Sequence, residues 1–208
     1  MKKINLDKPK SLITKELISD KHSIILITVL SLLVYFSTFN FGFVMDDAAV
    51  LKENSFVTAG FDGLKDLFTK GGWDGHSLVD NVLLYRPISQ SVFAIIHEFV
   101  GLDSFYYHVV HVAFYLMLGV IIFYLLKRLL QGKYPYVPLV ATLIYMLHPV
   151  HTEVVSNVKS EDELLGMLFG CLSWLFVLRY VDEKKIKDWA LAAFFYLVAI
   201  HSNETPVT

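Results

Sequence analysis

Two adjacent carboxylates, Asp46 and Asp47, close the first long apolar run, in the stretch Phe-Gly-Phe-Val-Met-Asp-Asp. A charge beside hydrocarbon costs about 2.5–3.5 kcal/mol on insertion scales, so two together at a membrane boundary point to use. An acid pair suits general-base work: one carboxylate accepts a proton from an attacking hydroxyl while the other orients it or holds a cation. On a regular helix adjacent side chains diverge by about 100°, so both serve one site only where the backbone is irregular, which Gly42 permits. The plainer alternative is a solvated polar pair ending a helix.

Other groups could act beside this pair. Tyr85-Arg86-Pro87 places a guanidinium just before a helix start, and its planar fork of donors suits a phosphate; an interfacial arginine reaching for water is the equal alternative. In His148-Pro149-Val150-His151-Thr152-Glu153, proline disfavours helical geometry at His148, so the helix breaks there and frees backbone groups toward a cavity. Two imidazoles and a carboxylate could grip a phosphate or a cation. Candidates for a divalent cation are Asp47, His151 and Glu153, and no other cofactor is expected. Lys159, Asp162 and Glu204 complete the candidate donor or acceptor contacts, although Ser160 with Glu163 also fits a capping box that explains the acids structurally. His108 and His111 share one helical face and are expected to pack or gate rather than ligate.

The elements that position these groups are membrane helices. Of 208 residues, 55% are hydrophobic and 14% aromatic, and the mean hydropathy is +0.52, well above soluble domains of this length. A net charge of -2 argues against nucleic acid, and the single cysteine, Cys171, excludes an intrachain disulfide. Runs of about 20 apolar residues predict an all-α integral membrane protein with five spans, near 23–43, 105–126, 136–155, 162–180 and 189–208. Six lysines in the first 22 residues keep that segment cytoplasmic, and Lys127, Arg128, Lys133, Arg179, Lys184, Lys185 and Lys187 then fall on the same side. Every chemically interesting group falls on the opposite, extracytoplasmic face. Within the first outer loop, 44–104, one short amphipathic helix is expected from Phe56 to Lys70, before Gly71-Gly72. Another starts at Pro87 and lies along the interface, with Ile88, Val92, Ile95, Ile96 and Phe99 on its apolar side and Ser89, Gln90, His97 and Glu98 at polar positions.

Taken in order, Val-Met-Asp46-Asp47, Tyr85-Arg86-Pro87, Tyr107-His108, His148-Pro-Val-His-Thr-Glu153, Ser160-Glu-Asp-Glu163 and Ser202-Asn-Glu-Thr205 resemble polytopic glycosyltransferases of the GT-C class. The likeness is greatest to the membrane region of the transmembrane and tetratricopeptide-repeat O-mannosyltransferases and their bacterial relatives, from about residue 23 onward. The resemblance implies transfer of a sugar from a polyprenyl-phosphate donor to a protein or glycan hydroxyl at the extracytoplasmic face, usually with inversion. It also implies that Asp46 or Asp47 is the base. Such proteins continue through further spans, so the chain is expected to be their amino-terminal part. Four positions depart from the pattern: Glu161 for arginine, Asn203 for lysine, His111 for asparagine and Tyr115 for histidine. The competing readings are a non-catalytic lipid-phosphate-binding or assembly subunit and, less well supported, a transporter, whose polar groups would sit near the midplane.

Overall fold

The computed structural model describes residues 18–44, 46–70, 75 and 85–205. The lysines before residue 18 and the Gly71-Gly72 pair lie outside them. Every long apolar run is a helix whose ends are set by polar neighbours. The first helix, α1 (Asp20–Tyr35), continues as a 3-10 turn over Phe36–Asn40. α5 (Ser104–Leu129) starts where the Asp103 side chain caps Phe105 N–H and ends at Lys127 and Arg128, which face the negative end of its dipole. α8 (Glu161–Glu183) carries three acids in its first turn and stops at Lys184, whose left-handed backbone (φ 54°) ends the helix. α9 (Ile186–Ser202) runs back beside it.

Three of these segments, Asp20–Asn40, Ser104–Leu129 and Val158–Glu183, are long and apolar enough to cross a membrane. The chain is an all-α membrane protein, and no strand occurs among the described residues. Within the segment 136–155 the helix breaks at His148-Pro149, as the proline predicts. α6 (Val137–Met146) has ten residues and rises about 15 Å, half of a ~30 Å hydrocarbon core. His148 is extended at ψ 129°, as Pro149 requires, and the chain resumes as a 3-10 turn (Pro149–His151) and the short helix α7 (Thr152–Ser156).

α5 is central, packing on α1, α6 and α8, and α8 pairs along its length with α9. Ile27, Tyr115, Leu118, Met146, Leu165 and Leu168 are buried at this centre. Between helices in lipid, close packing rather than water exclusion supplies the attraction, and small residues allow it. Gly119 illustrates the point, since a Cβ there would lie 2.8 Å from Met146 Cε. Ser173 Oγ donates to the Ala192 carbonyl across the α8–α9 seam at 2.9 Å.

The segment between α1 and α5 forms a second, smaller core from Leu51, Val57, Leu67, Phe93, Ala94 and Tyr107. The single helix expected over Phe56–Lys70 is instead α2 (Ser55–Thr58), a 3-10 turn (Gly60–Gly63) and α3 (Leu64–Thr69). Gly60 (φ 61°) makes the break, and a Cβ on Gly63 would lie 1.9 Å from the Phe56 carbonyl oxygen. α4 (Pro87–Val100) begins at Pro87 as expected, yet its buried side is Ser89, Gln90, Ser91, Phe93 and Ala94. Ile95 and Phe99, on the apolar side, are exposed on the surface of the protein, Phe99 at 75%. The reason is tertiary: α4 is wedged between α2, α3 and the α8–α9 pair, where small side chains let it approach.

The two ends of the bundle differ chemically. At one, Lys127 pairs with Asp20, Arg128 with Asp182, and Arg179 with Asp188 at 3.6 Å. At the other lie the acid pair and its companions.

Candidate functional site

The backbone around the acid pair is irregular, as a shared site requires. Residues 41–44 have no regular structure, and a π-helical turn covers Ala48–Lys52. The structure nevertheless divides the two carboxylates. Asp47 is buried and both its oxygens are taken: Oδ2 accepts the Val44 N–H at 2.9 Å and Oδ1 the Lys159 N–H at 2.7 Å. Asp47 N–H in turn donates to the Val44 carbonyl at 2.9 Å. Two backbone donors fix the direction of the carboxylate. Asp46 beside it is exposed. One acid is a brace and the other is open to an incoming group.

Arg86 sits at the first residue before α4, with its fork directed at carboxylates. Nε and Nη2 donate to the two oxygens of Glu204 at 3.0 and 2.5 Å, and Nη1 donates to Asp162. Asp162 uses its other oxygen to accept Glu163 N–H at 2.7 Å. Three elements are thereby clasped: the 85–87 turn, the start of α8 and the end of α9. Partial burial disfavours the Arg86 charge, but Glu204 and Asp162 outweigh it and hold the guanidinium above its usual range. The same hydrogen bonds keep Glu204, whose side chain is 67% exposed, below the usual carboxylate range. Arg86 is therefore occupied, not a free phosphate cradle. Lys159 differs: its backbone holds Asp47, and among the described residues its ammonium makes no ion pair.

The expected capping box is absent. Ser160 makes no side-chain cap bond, and the Glu163 N–H it would cap donates to Asp162 instead. Glu161 is buried and its Oε2 lies 2.5 Å from His111 Nδ1 on α5, while His111 Nε2 is 2.8 Å from the Val154 carbonyl oxygen.

The histidine motif is split as well. His148 is exposed and its Nδ1 accepts Val150 N–H at 3.1 Å. The His151 ring lies tilted against Tyr145 and Tyr115, with ring centroids 4.3 and 6.1 Å away, and Glu153 is exposed. Asp47, His151 and Glu153 are not gathered, and among the described residues no three His, Cys, Asp or Glu side chains are placed to hold a metal ion. Beside His151 opens a cavity of about 470 Å³, lined by Tyr115, Tyr145, Trp174 and Cys171, with Glu163 and Thr205 as further polar groups. An aromatic and aliphatic wall with a few polar groups suits a long apolar ligand with a polar head.

A protein O-mannosyl-transferase of Caenorhabditis elegans, F38B6.6, is 28% identical over 152 residues, covering 71% of this chain and 22% of its own length. Human TMTC3, a protein O-mannosyl-transferase, is 27% identical over 84% of this chain and 19% of its own. Drosophila melanogaster Tmtc1, of the same description, is 27% identical over 87% and 21%. The curated homologues of this chain are protein O-mannosyl-transferases of the TMTC family. The chain spans about a fifth of the length of the relatives it matches. No family model and no solved structure matches it.

Among the departures from the O-mannosyltransferase pattern, His111 and Glu161 prove to be each other's partners. Tyr115 donates its hydroxyl to the Met146 carbonyl at 2.9 Å, tying down the point where α6 ends. Sequence reasoning missed the His111–Glu161 pair. The spacing of His108 and His111 located a face, but its partner lies on another helix, and no local pattern reports that.

Proposed function

We propose that this chain forms the base and donor-phosphate part of a glycosyltransferase that moves a sugar, in the manner of a mannosyltransferase, from a polyprenyl-phosphate carrier to a protein hydroxyl. The observation that carries this reading is the 2.7 Å bond from Lys159 N–H to Asp47, which ties the turn of the acid pair to the residue whose ammonium makes no ion pair among the described residues. Asp46 accepts the proton of the acceptor hydroxyl, whose oxygen attacks the anomeric carbon. The bond from that carbon to the phosphate oxygen breaks, and the electron pair leaves on polyprenyl phosphate. Lys159 stabilises the charge that develops there. Asp47 holds the turn that presents Asp46. The isoprenoid tail lies in the cavity of Tyr115, Tyr145 and Trp174, whose polar groups Glu163 and Thr205 each adjoin a carboxylate of the Arg86 clasp.

The site faces the extracytoplasmic side in this reading. Lys127, Arg128 and Lys185 gather at the opposite end of the bundle, as retention of basic residues in the cytoplasm would require. Homology to named protein O-mannosyl-transferases supports the sugar-transfer chemistry and a protein acceptor.

The test is release of polyprenyl phosphate from radiolabelled polyprenyl-phosphate mannose by membranes carrying the protein. Asp46→Asn removes the release while the lipid still binds. Full turnover in that variant refutes the assigned role. Lipid binding without turnover in the unaltered protein favours the alternative of a non-catalytic lipid-phosphate-binding subunit, for which the occupied fork of Arg86 is the specific motive.

A further inference from the structure

Beneath the acid pair, α5 and α8 meet through two charged side chains that the proposed chemistry does not use. His111 and Glu161 have side chains 0% and 2% exposed, and Nδ1 lies 2.5 Å from Oε2. On the other edge of the ring, Nε2 lies 2.8 Å from the Val154 carbonyl. Whichever of the two holds the proton between them, the pair as a whole carries no net charge.

Removing two charges from water is expensive, and apolar residues of similar volume commonly do as well or better for stability. Packing alone therefore does not account for this pair. What it supplies that apolar groups lack is direction. One imidazole grips Val154 in α7 and Glu161 at the start of α8, and between those two points lies the turn Val158–Ser160. That turn presents the Lys159 N–H to Asp47 at 2.7 Å, and the same N–H is shared with the Asn157 side-chain oxygen at 3.2 Å.

We propose that the His111–Glu161 pair is the positioning element of the acid pair, fixing both ends of the 154–161 segment so that the Lys159 amide points at Asp47. Loss of the pair leaves the Lys159 amide with only its longer, weaker bond to Asn157, and Asp47 keeps only its bond from Val44. Asp46, the next residue, then loses its fixed presentation. His111 and Glu161 touch no substrate in this scheme. They act through Lys159 N–H and Asp47. The structural half stands on the contacts named here, and only its catalytic consequence rests on the sugar-transfer reading.

Amide hydrogen exchange and turnover, measured on the full chain in lipid nanodiscs, test both halves. The double variant His111→Leu with Glu161→Leu removes the charges without stranding either one, and Glu161→Gln keeps shape and an acceptor while removing the charge. The expected result is a Lys159 amide that exchanges at least about tenfold faster, with the melting temperature held within a few degrees. Turnover of polyprenyl-phosphate mannose falls by about tenfold or more, with the KM for that donor changed less than about twofold. Wild-type exchange at Lys159 in both variants overturns the proposal. Faster exchange with undiminished turnover overturns its catalytic half and leaves the transfer reading intact. Faster exchange in a protein that shows no turnover before mutation upholds the clamp and refutes the transfer reading.

Discussion

Replacing Asp47 by asparagine should loosen the turn that presents Asp46, by an amount that follows from two hydrogen bonds. The carboxylate accepts Val44 N–H at 2.9 Å and Lys159 N–H at 2.7 Å from a buried position. Each such bond to a charged group contributes about 1.5–3 kcal/mol, and stranding a buried donor costs about 1–3 kcal/mol. An asparagine keeps one acceptor oxygen, so one bond survives in weaker, neutral form. The other N–H then faces an NH2 group. The sum is about 2–4 kcal/mol of local opening free energy, or roughly 30- to 1,000-fold faster amide exchange at Val44 or Lys159. Hydrogen exchange read by mass spectrometry over 40–52 and 152–161 measures it directly. Asp46→Asn in the same assay leaves both amides protected, because the Asp46 side chain is exposed. Exchange at wild-type rates in Asp47→Asn, or equal opening in both variants, refutes the division of the pair into brace and open acid.

Further outcomes follow from the same contacts. Lys159→Met should raise the KM for polyprenyl-phosphate mannose several-fold and leave exchange at residue 159 unchanged, since Asp47 is held by the backbone of Lys159 and not by its ammonium. The Arg86–Glu204 clasp predicts a pH dependence with a definite sign. Glu204 is held below the usual carboxylate range by Arg86, so its contribution is fully present above that range and fades as pH falls through the lowered value. Melting curves of the wild type and Glu204→Gln should therefore differ at neutral pH and converge in acid, by a small margin because the carboxylate is largely exposed. Gly63→Ala should disrupt the α2–α3 segment, as its Cβ falls 1.9 Å from the Phe56 carbonyl oxygen, and protease sensitivity within 55–70 reports the loss.

Much of the architecture was legible in the chain because membrane helices leave a one-dimensional signal: a run of apolar residues long enough to satisfy its own backbone across hydrocarbon. The runs that became α1, α5 and α8 needed no tertiary information, and neither did the start of α4 at Pro87 or the break at His148-Pro149. Periodicity misled where packing overrode it. Periodicity put Ser89 and Gln90 of α4 at polar positions, but neighbouring helices took that small-residue face and buried it. Capping chemistry misled at Ser160 and Glu163, because the neighbouring Asp162 side chain accepts the Glu163 N–H that Ser160 would have capped.

Residue types and their order along the chain determined by themselves that this is a helical membrane protein, that its acids, histidines and Arg86 collect at helix ends, and which family it resembles. Those are local properties, fixed by hydrophobicity and by the cost of burying charge. Only the tertiary structure decided what each charge does. It sent Asp47 inward and left Asp46 outside, filled the fork of Arg86 with Glu204 and Asp162, left the ammonium of Lys159 unpaired among the described residues, and joined His111 to Glu161. A charge's role depends on its distance to partners that lie far along the chain, and such distances exist only once the helices have packed.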